Sequence, residues 1–323
     1  MEGLSAPNDT ASSQGGIFLA LEEVLVLGAL AALVALGLAS EAPIFEPLYQ
    51  SRLTFMTVVA LCGYFAWEIY RHSTRRFFRF LRDWIPVVGL LGVYESLKHM
   101  HANRITVWLG IEPMDPLMIR LDEALFGKVL PLWIDHWDAE WFIGLMWFFY
   151  IEVYYLGPAL ILLYLYASAK RMAGFMRLRR GMVFGFLGGY VLYLLIPVAG
   201  PLYYMGEQFT HPIGTQPIIE RHVFDLLRYN WDAFPSLHTA IPWLLTILAW
   251  RYLPRWARYT CVIASGGVTL STVALRYHYG IDLVAAVLWT GAVYLIVIWM
   301  EKRNWNPGIA LRFPWQRESH IQS

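Results

Sequence analysis

Eight long apolar runs dominate this chain of 323 residues and limit how it can fold. A transmembrane helix needs about 20 mostly apolar residues to cross a hydrocarbon core of roughly 30 Å. The candidate runs are 18–39, 53–70, 84–98, 141–168, 181–198, 238–252, 257–275 and 278–300. Only 15% of the residues are charged, whereas a soluble domain carries about a quarter. The sequence therefore predicts an all-α integral membrane protein with eight transmembrane helices.

The basic residues predict the orientation of these helices. If all eight runs span the membrane, 17 of the 25 Lys and Arg residues fall on one side, in 71–83, 169–181, 251–258 and the tail after 301. Lys and Arg near membrane ends mark the cytoplasmic side. We therefore expect a plasma-membrane or inner-membrane protein with both termini in the cytoplasm. The formal net charge of +1 argues against nucleic acid as a partner.

Two long loops, 99–140 and 199–237, then lie on the outer side. The first is rich in acidic residues, and its Asp115-Pro116 pair resembles a helix N-cap followed by Pro at the first helical position. Four apolar residues follow at helical spacing: Met118, Leu121, Leu125 and Phe126. The pattern predicts a short amphipathic helix, lying either in the outer interface or packed over the ends of the spans. The tail after 301 is predicted to be poorly ordered.

Two segments at the outer ends of the sixth and eighth spans collect the residues able to do chemistry. In the second segment, 276–282, His278 and Asp282 are four residues apart, so they share a helix face. A carboxylate bonded to one imidazole nitrogen leaves the other nitrogen as a nucleophile or base. In the first segment, 232–240, Pro235 fits a first helical position, and Ser236 and His238 lie in the first turn.

Both segments open helices whose N-termini are predicted to face outward with free N–H groups, which together with Ser, Arg and His make an anion site. A phosphate ester suits two histidines, because one can attack phosphorus while the other protonates the leaving oxygen. This chemistry requires no metal or other cofactor. Two His and one Asp are also able to ligate zinc, but Arg residues and a Ser at a helix start suit phosphate better.

Three stretches resemble elements of the type 2 phosphatidic acid phosphatase superfamily, in the branch that includes fungal inositol phosphorylceramide synthases. They are Phe-Pro-Ser-Leu-His at 234–238, Arg-Tyr-His-Tyr-Gly-Ile-Asp at 276–282 and Ile-Pro-Val-Ala-Gly-Pro-Leu-Tyr-Tyr at 196–204. The resemblance implies a six-helix catalytic core at 81–300, preceded by a tail and two extra helices at 1–80 and followed by a cytoplasmic tail at 301–323.

The resemblance also implies roles for individual residues. His278 would form a phosphohistidine, Asp282 would orient it, and His238 would protonate the leaving alcohol and then activate the acceptor. Ser236 would hold a phosphate oxygen. The same elements mark Pro201, Tyr203 and Tyr277 as candidate substrate-binding residues.

The basic phosphate ligands depart from the family pattern. Thr272 stands where the phosphatase branch has an Arg, six residues before the histidine, and Arg276 is the leading replacement. Arg221 and Arg228, in the loop before Ser236, compete for this role. Lys98 and Arg104 are further candidates.

Three functions are consistent with these residues. The first is transfer of a head group such as phosphoinositol from a lipid donor to a second lipid hydroxyl, for example that of diacylglycerol or ceramide. The second is hydrolysis of lipid or polyprenyl phosphates, which would use the same histidines. The third is a non-catalytic lipid transporter, although such proteins often show internal repeats and none is apparent here.

Overall fold

The computed structural model describes residues 17–40, 52–99, 110–211 and 231–311, and most of them are helical. The helices are α1 Leu21–Ser40, α2 Arg52–Arg71, α3 Arg76–His99, α4 Asp115–Phe126, α5 Leu130–Trp133, α6 Glu140–Phe148, α7 Tyr154–Tyr166, α8 Met172–Leu195, α9 Pro201–Tyr204, α10 Leu237–Ala249, α11 Arg255–Ala274 and α12 Gly280–Lys302. A π-helical turn, Phe149–Val153, joins α6 to α7.

Each of the eight apolar runs coincides with a helix, but the number of membrane spans stays a prediction. Among the described residues, three helical stretches are long and apolar enough to cross a membrane: Glu140–Tyr166, Ala169–Leu195 and Gly280–Lys302. They correspond to the fourth, fifth and eighth predicted spans. Parts of both predicted outer loops, 100–109 and 212–230, lie outside the described residues.

Two short strands contradict the expectation of a purely helical chain. β1, Ile17–Ala20, pairs antiparallel with β2, Gly308–Leu311. The pairing continues where the Leu21 amide donates to the Pro307 carbonyl at 3.0 Å. The prediction of a poorly ordered tail after 301 is therefore wrong for 308–311. A search for long apolar runs misses such strands because each has only four residues.

Several basic residues assigned to cytoplasmic loops are buried instead. Arg82 forms a bidentate ion pair with Glu23, with nitrogen–oxygen distances of 3.0 and 3.2 Å. Arg177 and Arg179 lie within α8, which begins at Met172 rather than near 181 as predicted. The apolar-run criterion placed the start of this helix too late because it treats Arg as a loop residue.

The chain divides into two compact units, Met1–Ser96 with Met300–Ser323, and Leu97–Trp299. In the second unit α8 packs against α10 through three glycines at four-residue spacing: Gly181, Gly185 and Gly189. A methyl group at Gly181 would lie 2.4 Å from Leu248, and one at Gly189 would lie 2.6 Å from Leu237. Small residues at this spacing let two helices approach closely. This contact fixes α10, which carries His238.

Candidate active site

His278 lies just before α12 and is 3% exposed. Its Nδ1 is 2.8 Å from the carbonyl oxygen of Ala233 and 3.4 Å from Oδ2 of Asp282. Because a carbonyl oxygen only accepts hydrogen bonds, Nδ1 of the neutral ring carries the proton and Nε2 keeps its lone pair. Nε2 has no hydrogen-bond partner among the described residues. The imidazole is therefore held in the tautomer that a nucleophile needs.

Asp282 is fully buried, and its carboxylate contacts both the first turn of α12 and His278. As the third residue of α12, it accepts a hydrogen bond from the Tyr279 amide at 2.8 Å. This reach back from the third helical position is the geometry of a capping box. The same oxygen faces His278, so the start of the helix and the histidine are fixed together.

His238 is the second residue of α10, and aromatic stacking orients its ring. The ring lies nearly parallel to that of Tyr150, with centroids 4.3 Å apart, and 4.0 Å from that of Tyr154. Its centroid is 6.1 Å from that of His278. The two imidazoles are therefore close enough to act on one ester, one at phosphorus and the other at the leaving oxygen.

Ser236 is the N-cap of α10, and its Oγ accepts a hydrogen bond from the Thr239 amide at 3.3 Å. Pro235 precedes the cap, so its predicted place at the first helical position is wrong. The Leu237 and His238 amides make no hydrogen bond to any described residue. Because the first amides of a helix lack partners within it, these two remain available to an anion.

The start of α12 differs from that of α10, because a carboxylate already occupies it. Asp122 of α4 accepts hydrogen bonds from the Gly280 amide at 2.9 Å and the Ile281 amide at 2.7 Å. It also accepts one from the Leu130 amide at 2.9 Å. The prediction of two open helix N-termini is therefore wrong for α12, and only the start of α10 keeps open amides.

Asp115, which the sequence predicted to be the N-cap of α4, is instead a buried hydrogen-bond acceptor. The N-cap of α4 is Met114. Its carboxylate accepts hydrogen bonds from the Ala199 amide at 2.9 Å, the Gly200 amide at 3.0 Å and the Tyr279 hydroxyl at 3.0 Å. Burial raises the pKa of Asp115 above its usual range, although these hydrogen bonds act in the opposite direction. Through Asp115 and Asp122, helix α4 therefore holds both the proline stretch at 196–204 and the start of α12 in place beside His278.

The packing of α4 supports the second of its two predicted placements. Met118 is buried in a cluster with Val198 and Tyr279, whereas Leu125 is 57% exposed. The inward face of α4 carries Asp115 and Asp122, seven residues apart with Met118 between them. Sequence reasoning missed these two acids because it assigned only apolar residues to the buried face.

Arg276 is held in a polar cluster two residues before His278. Its backbone is in the left-handed region, with φ of 63°. Its Nη2 lies 2.7 Å from Oδ1 of Asp135 and donates to the His211 carbonyl at 2.6 Å. The guanidinium carbon is 4.4 Å from the centroid of the Phe209 ring. Its Nε and Nη1 groups make no hydrogen bond to the described residues, so they are the donors left for a phosphate.

Asp135, the partner of Arg276, was not among the predicted site residues. Its Oδ2 accepts hydrogen bonds from the amide and hydroxyl of Thr210 at 3.0 and 2.8 Å and contacts Nδ1 of His211 at 3.1 Å. Burial raises the pKa of Asp135, but these hydrogen bonds and the charge of Arg276 outweigh it and lower the pKa to about 2. Asp135 is therefore ionised at neutral pH.

The proline stretch packs directly against the histidine segment. Pro201 begins α9 and is buried, and the Leu202 amide donates to the Arg276 carbonyl at 2.8 Å. The Tyr203 ring lies 6.1 Å from that of Tyr277. The three predicted substrate-binding residues, Pro201, Tyr203 and Tyr277, are thus neighbours of the site.

The remaining basic candidates lie outside the described residues: Arg221, Arg228, Arg104 and the side chain of Lys98. Thr272 is buried, and its carbonyl accepts from the amides of Tyr277 and His278 at 3.0 and 3.2 Å. In the part of the chain that the structure describes, no three His, Cys, Asp or Glu side chains are grouped so as to hold a metal ion.

The fold and site define a helical membrane protein in which two histidines, one at the start of α10 and one just before α12, have ring centroids 6.1 Å apart. Residues 117–296, more than half of the chain, match the family model of the PAP2 superfamily. The chain belongs to this superfamily, which confirms the predicted resemblance at that level. The branch within the superfamily stays a prediction.

One curated relative is a PA-phosphatase related-family protein of Dictyostelium discoideum, which is 24% identical over 100 residues. The match covers 29% of this chain and 18% of the relative's length. No solved structure matches the chain significantly.

Proposed function

We propose that the chain is a membrane enzyme that transfers a phosphorylated group from a lipid ester through a phosphohistidine on His278. The observation that carries this proposal is the pairing of the two histidines. The Nδ1 proton of His278 is directed to Ala233, and its ring lies 6.1 Å from that of His238. Membership of the PAP2 superfamily supports the same class of reaction.

The reaction has two displacement steps. In the first, Nε2 of His278 attacks phosphorus, the bond between phosphorus and the lipid oxygen breaks, and protonated His238 gives its proton to the leaving oxygen. In the second, His238 takes a proton from the acceptor hydroxyl, whose oxygen attacks phosphorus and breaks the nitrogen–phosphorus bond. Asp282 stabilises the charge that develops on His278, and no cofactor takes part.

The phosphoryl oxygens bind at the start of α10. The open amides of Leu237 and His238 point out of the first helical turn, where the partial positive charge of the helix favours an anion. Ser236 adds a hydroxyl, and Arg276 adds the N–H groups that its contacts with Asp135 and His211 leave unused. Arg221 and Arg228 are further candidates for the same anion.

The acceptor that we favour is a lipid alcohol, such as diacylglycerol or ceramide, so that a phosphoinositol-like head group moves between lipids. The packing of the proline stretch on Arg276 supports this choice, because that stretch is the element shared with the synthase branch. Hydrolysis of a lipid or polyprenyl phosphate is the second candidate, and the similarity to a PA-phosphatase related protein favours it. In either case we place the site on the outer side and both termini in the cytoplasm.

The two candidates differ in their products. The detergent-purified chain is incubated with phosphatidic acid, with polyprenyl diphosphate, and with phosphatidylinositol plus either diacylglycerol or ceramide. A new head-group lipid without free phosphate supports transfer. Release of free phosphate alone contradicts transfer and supports hydrolysis. Absence of turnover with every substrate contradicts both and leaves the transporter.

The phosphohistidine itself is tested by trapping. With a phosphate ester that has a good leaving group, the His238→Ala variant should accumulate label on His278, since such a group departs without a proton donor. The His278→Ala variant should remain unlabelled. His136→Ala is the matched control, because His136 is exposed and lies outside the site. Labelling of the His278→Ala variant would contradict the mechanism.

A further inference from the structure

An apolar groove of about 550 Å³ lies in the second unit, between the continuous stretch α6–α7 and the helices α10 and α11. This volume is within the range of small-molecule sites, about 300–1,000 Å³. Large side chains along the groove are exposed, among them Leu156 at 57%, Leu160 at 63% and Ile263 at 68%. Since the stretch Glu140–Tyr166 is long and apolar enough to span a membrane, we expect the groove to face the hydrocarbon core.

The groove begins about one helical turn from His238. In the π-helical turn, Tyr150 stacks on His238, while Phe149 and Glu152 line the groove. On α10, His238 and the groove residue Pro242 are four residues apart, about one helical turn. Turns of π-helix are rare and often occur at functional sites. The same two elements therefore shape both the catalytic histidine and the groove.

Glu152 is the acidic residue in the groove lining. Its Oε2 is buried and accepts no hydrogen bond from any described residue. An ionisable residue at membrane depth is costly and marks a functional position, and a buried acceptor without a hydrogen-bond partner is also unfavourable. A ligand that brings a hydroxyl or amide N–H to the Glu152 carboxylate supplies the missing partner.

The proposed reaction identifies the ligand. His238 protonates the alcohol that leaves and deprotonates the alcohol that accepts, so both alcohols must place their oxygen beside His238. The hydrocarbon chain attached to that oxygen then needs apolar space within reach of His238, and this groove offers it about one helical turn away, at Pro242. A phosphoryl group held at the start of α10 leaves the groove free.

We propose that the groove binds the hydrocarbon chain of the lipid alcohol that leaves or accepts the phosphorylated group, with Glu152 accepting a hydrogen bond from a donor beside that chain. This assignment rests on the proposed function, because that reaction is what makes the ligand an alcohol. Glu152 is then a specificity residue and takes no part in bond making.

The groove is tested first by binding, which needs no turnover. A photoreactive hexadecanol with a diazirine in its chain is bound to the full chain in detergent micelles, and the labelled peptides are mapped. We expect saturable labelling of α7 and α11. Labelling that does not saturate, or that falls elsewhere, overturns the proposal, because it indicates ordinary lipid contact.

Two glycines give a matched pair of blocking variants. Gly157 lines the groove, and Gly144 is exposed outside the groove lining; a Cβ at either position has no neighbour within 4 Å, so each has room for a side chain. Gly157→Phe should reduce labelling about tenfold, because the added ring occupies space that the hydrocarbon chain would fill; a tenfold loss of affinity is about 1.4 kcal/mol. Gly144→Phe should leave labelling unchanged. Equal labelling of both variants overturns the proposal.

Competition tests Glu152. Hexadecanol should compete for the labelled site about tenfold better than its methyl ether, which lacks the donor. In the Glu152→Met variant, which keeps the size of the side chain, the two should compete equally. Equal competition in the unmodified chain overturns the assignment to Glu152.

Turnover separates this proposal from the proposed function. Gly157→Phe should raise KM for a long-chain lipid phosphate more than KM for a dihexanoyl analogue, whereas Gly144→Phe should change neither. If lipid phosphates are turned over but labelling fails, the groove assignment alone is wrong. If labelling is saturable but nothing is turned over, the proposed function is wrong, and with it the identity of the ligand as a reacting alcohol.

Discussion

The Nδ1–H group of His278 donates to the main-chain oxygen of Ala233 at 2.8 Å, a shorter distance than the 3.4 Å to the Asp282 carboxylate. In the Ser-His-Asp triad, one aspartate both sets the tautomer and stabilises the imidazolium. Here the two duties are divided. The carbonyl of Ala233 fixes the tautomer, and in the proposed mechanism the charge of Asp282 is left to stabilise the ring when it becomes positive.

We expect Asp282→Asn to slow phosphoenzyme formation about 10²-fold, less than the 10⁴-fold loss where the aspartate alone sets the tautomer. The Asn side-chain oxygen can still accept from the Tyr279 amide, so α12 should begin normally. Rapid-quench measurement of phosphoenzyme checks the rate. Asp282→Ala, which also loses the Tyr279 hydrogen bond, should be slower still. An Asn variant as inactive as His278→Ala would mean that Ala233 does not hold the tautomer.

Replacing Asp122 by Ala should destabilise the second unit. The carboxylate accepts three amide hydrogen bonds, and each buried amide left without an acceptor costs about 1–3 kcal/mol. Thermal unfolding in detergent should shift down by roughly 5 °C or more. Glu123→Ala is the matched control, since Glu123 is exposed on the same helix. Equal unfolding temperatures for the two variants would remove Asp122 as the anchor of α12.

Candidate site residues could be predicted from the sequence where the two members of a pair lie within a few residues of each other. His278 and Asp282 are four residues apart, and Ser236 and His238 are two apart, so helical geometry brings each pair together. The contacts that complete the site were not predictable in this way. Asp122 is 158 residues from Gly280, and Asp135 lies in another segment from Arg276. Only tertiary packing decides which backbone amides or guanidinium groups these acids meet.

The helices were also predictable where local sequence decides them and not where tertiary packing does. The eight apolar runs predicted where helices occur, because a run of that length has few alternatives to a helix. The start of α8 was missed, because Arg177 and Arg179 are buried inside the helix rather than exposed in a loop. The short strands β1 and β2 were missed, because their pairing joins segments from opposite ends of the chain.

Gly200→Ala should disrupt the site by displacing the backbone next to His278. Gly200 has φ of 90° and ψ of 160°, a region essentially restricted to glycine, where another residue costs about 1–3 kcal/mol. A Cβ there would also lie 2.3 Å from the carbonyl oxygen of Tyr277, the residue before His278. We expect lower kcat and lower thermal stability. Gly206→Ala is the control, because its added Cβ meets no atom within 4 Å. Unchanged kcat in the Gly200 variant would contradict this coupling.

The hydrogen bonds of Asp135 with Thr210 and His211, together with its ion pair with Arg276, should make stability depend on acid pH. The folded pKa of Asp135 is about 2, below its ordinary value of 3.8. A lowered pKa means that the stabilisation is complete above pH 3.8 and is lost as the pH falls through 2. The unfolding temperature of the unmodified chain should therefore exceed that of Asp135→Asn at pH 5, and the difference should shrink between pH 4 and 2. Asp138→Asn, at an exposed neighbouring position, should show no such difference. A difference in unfolding temperature between Asp135→Asn and the unmodified chain that stays constant down to pH 2 would mean that Thr210, His211 and Arg276 do not hold this carboxylate ionised.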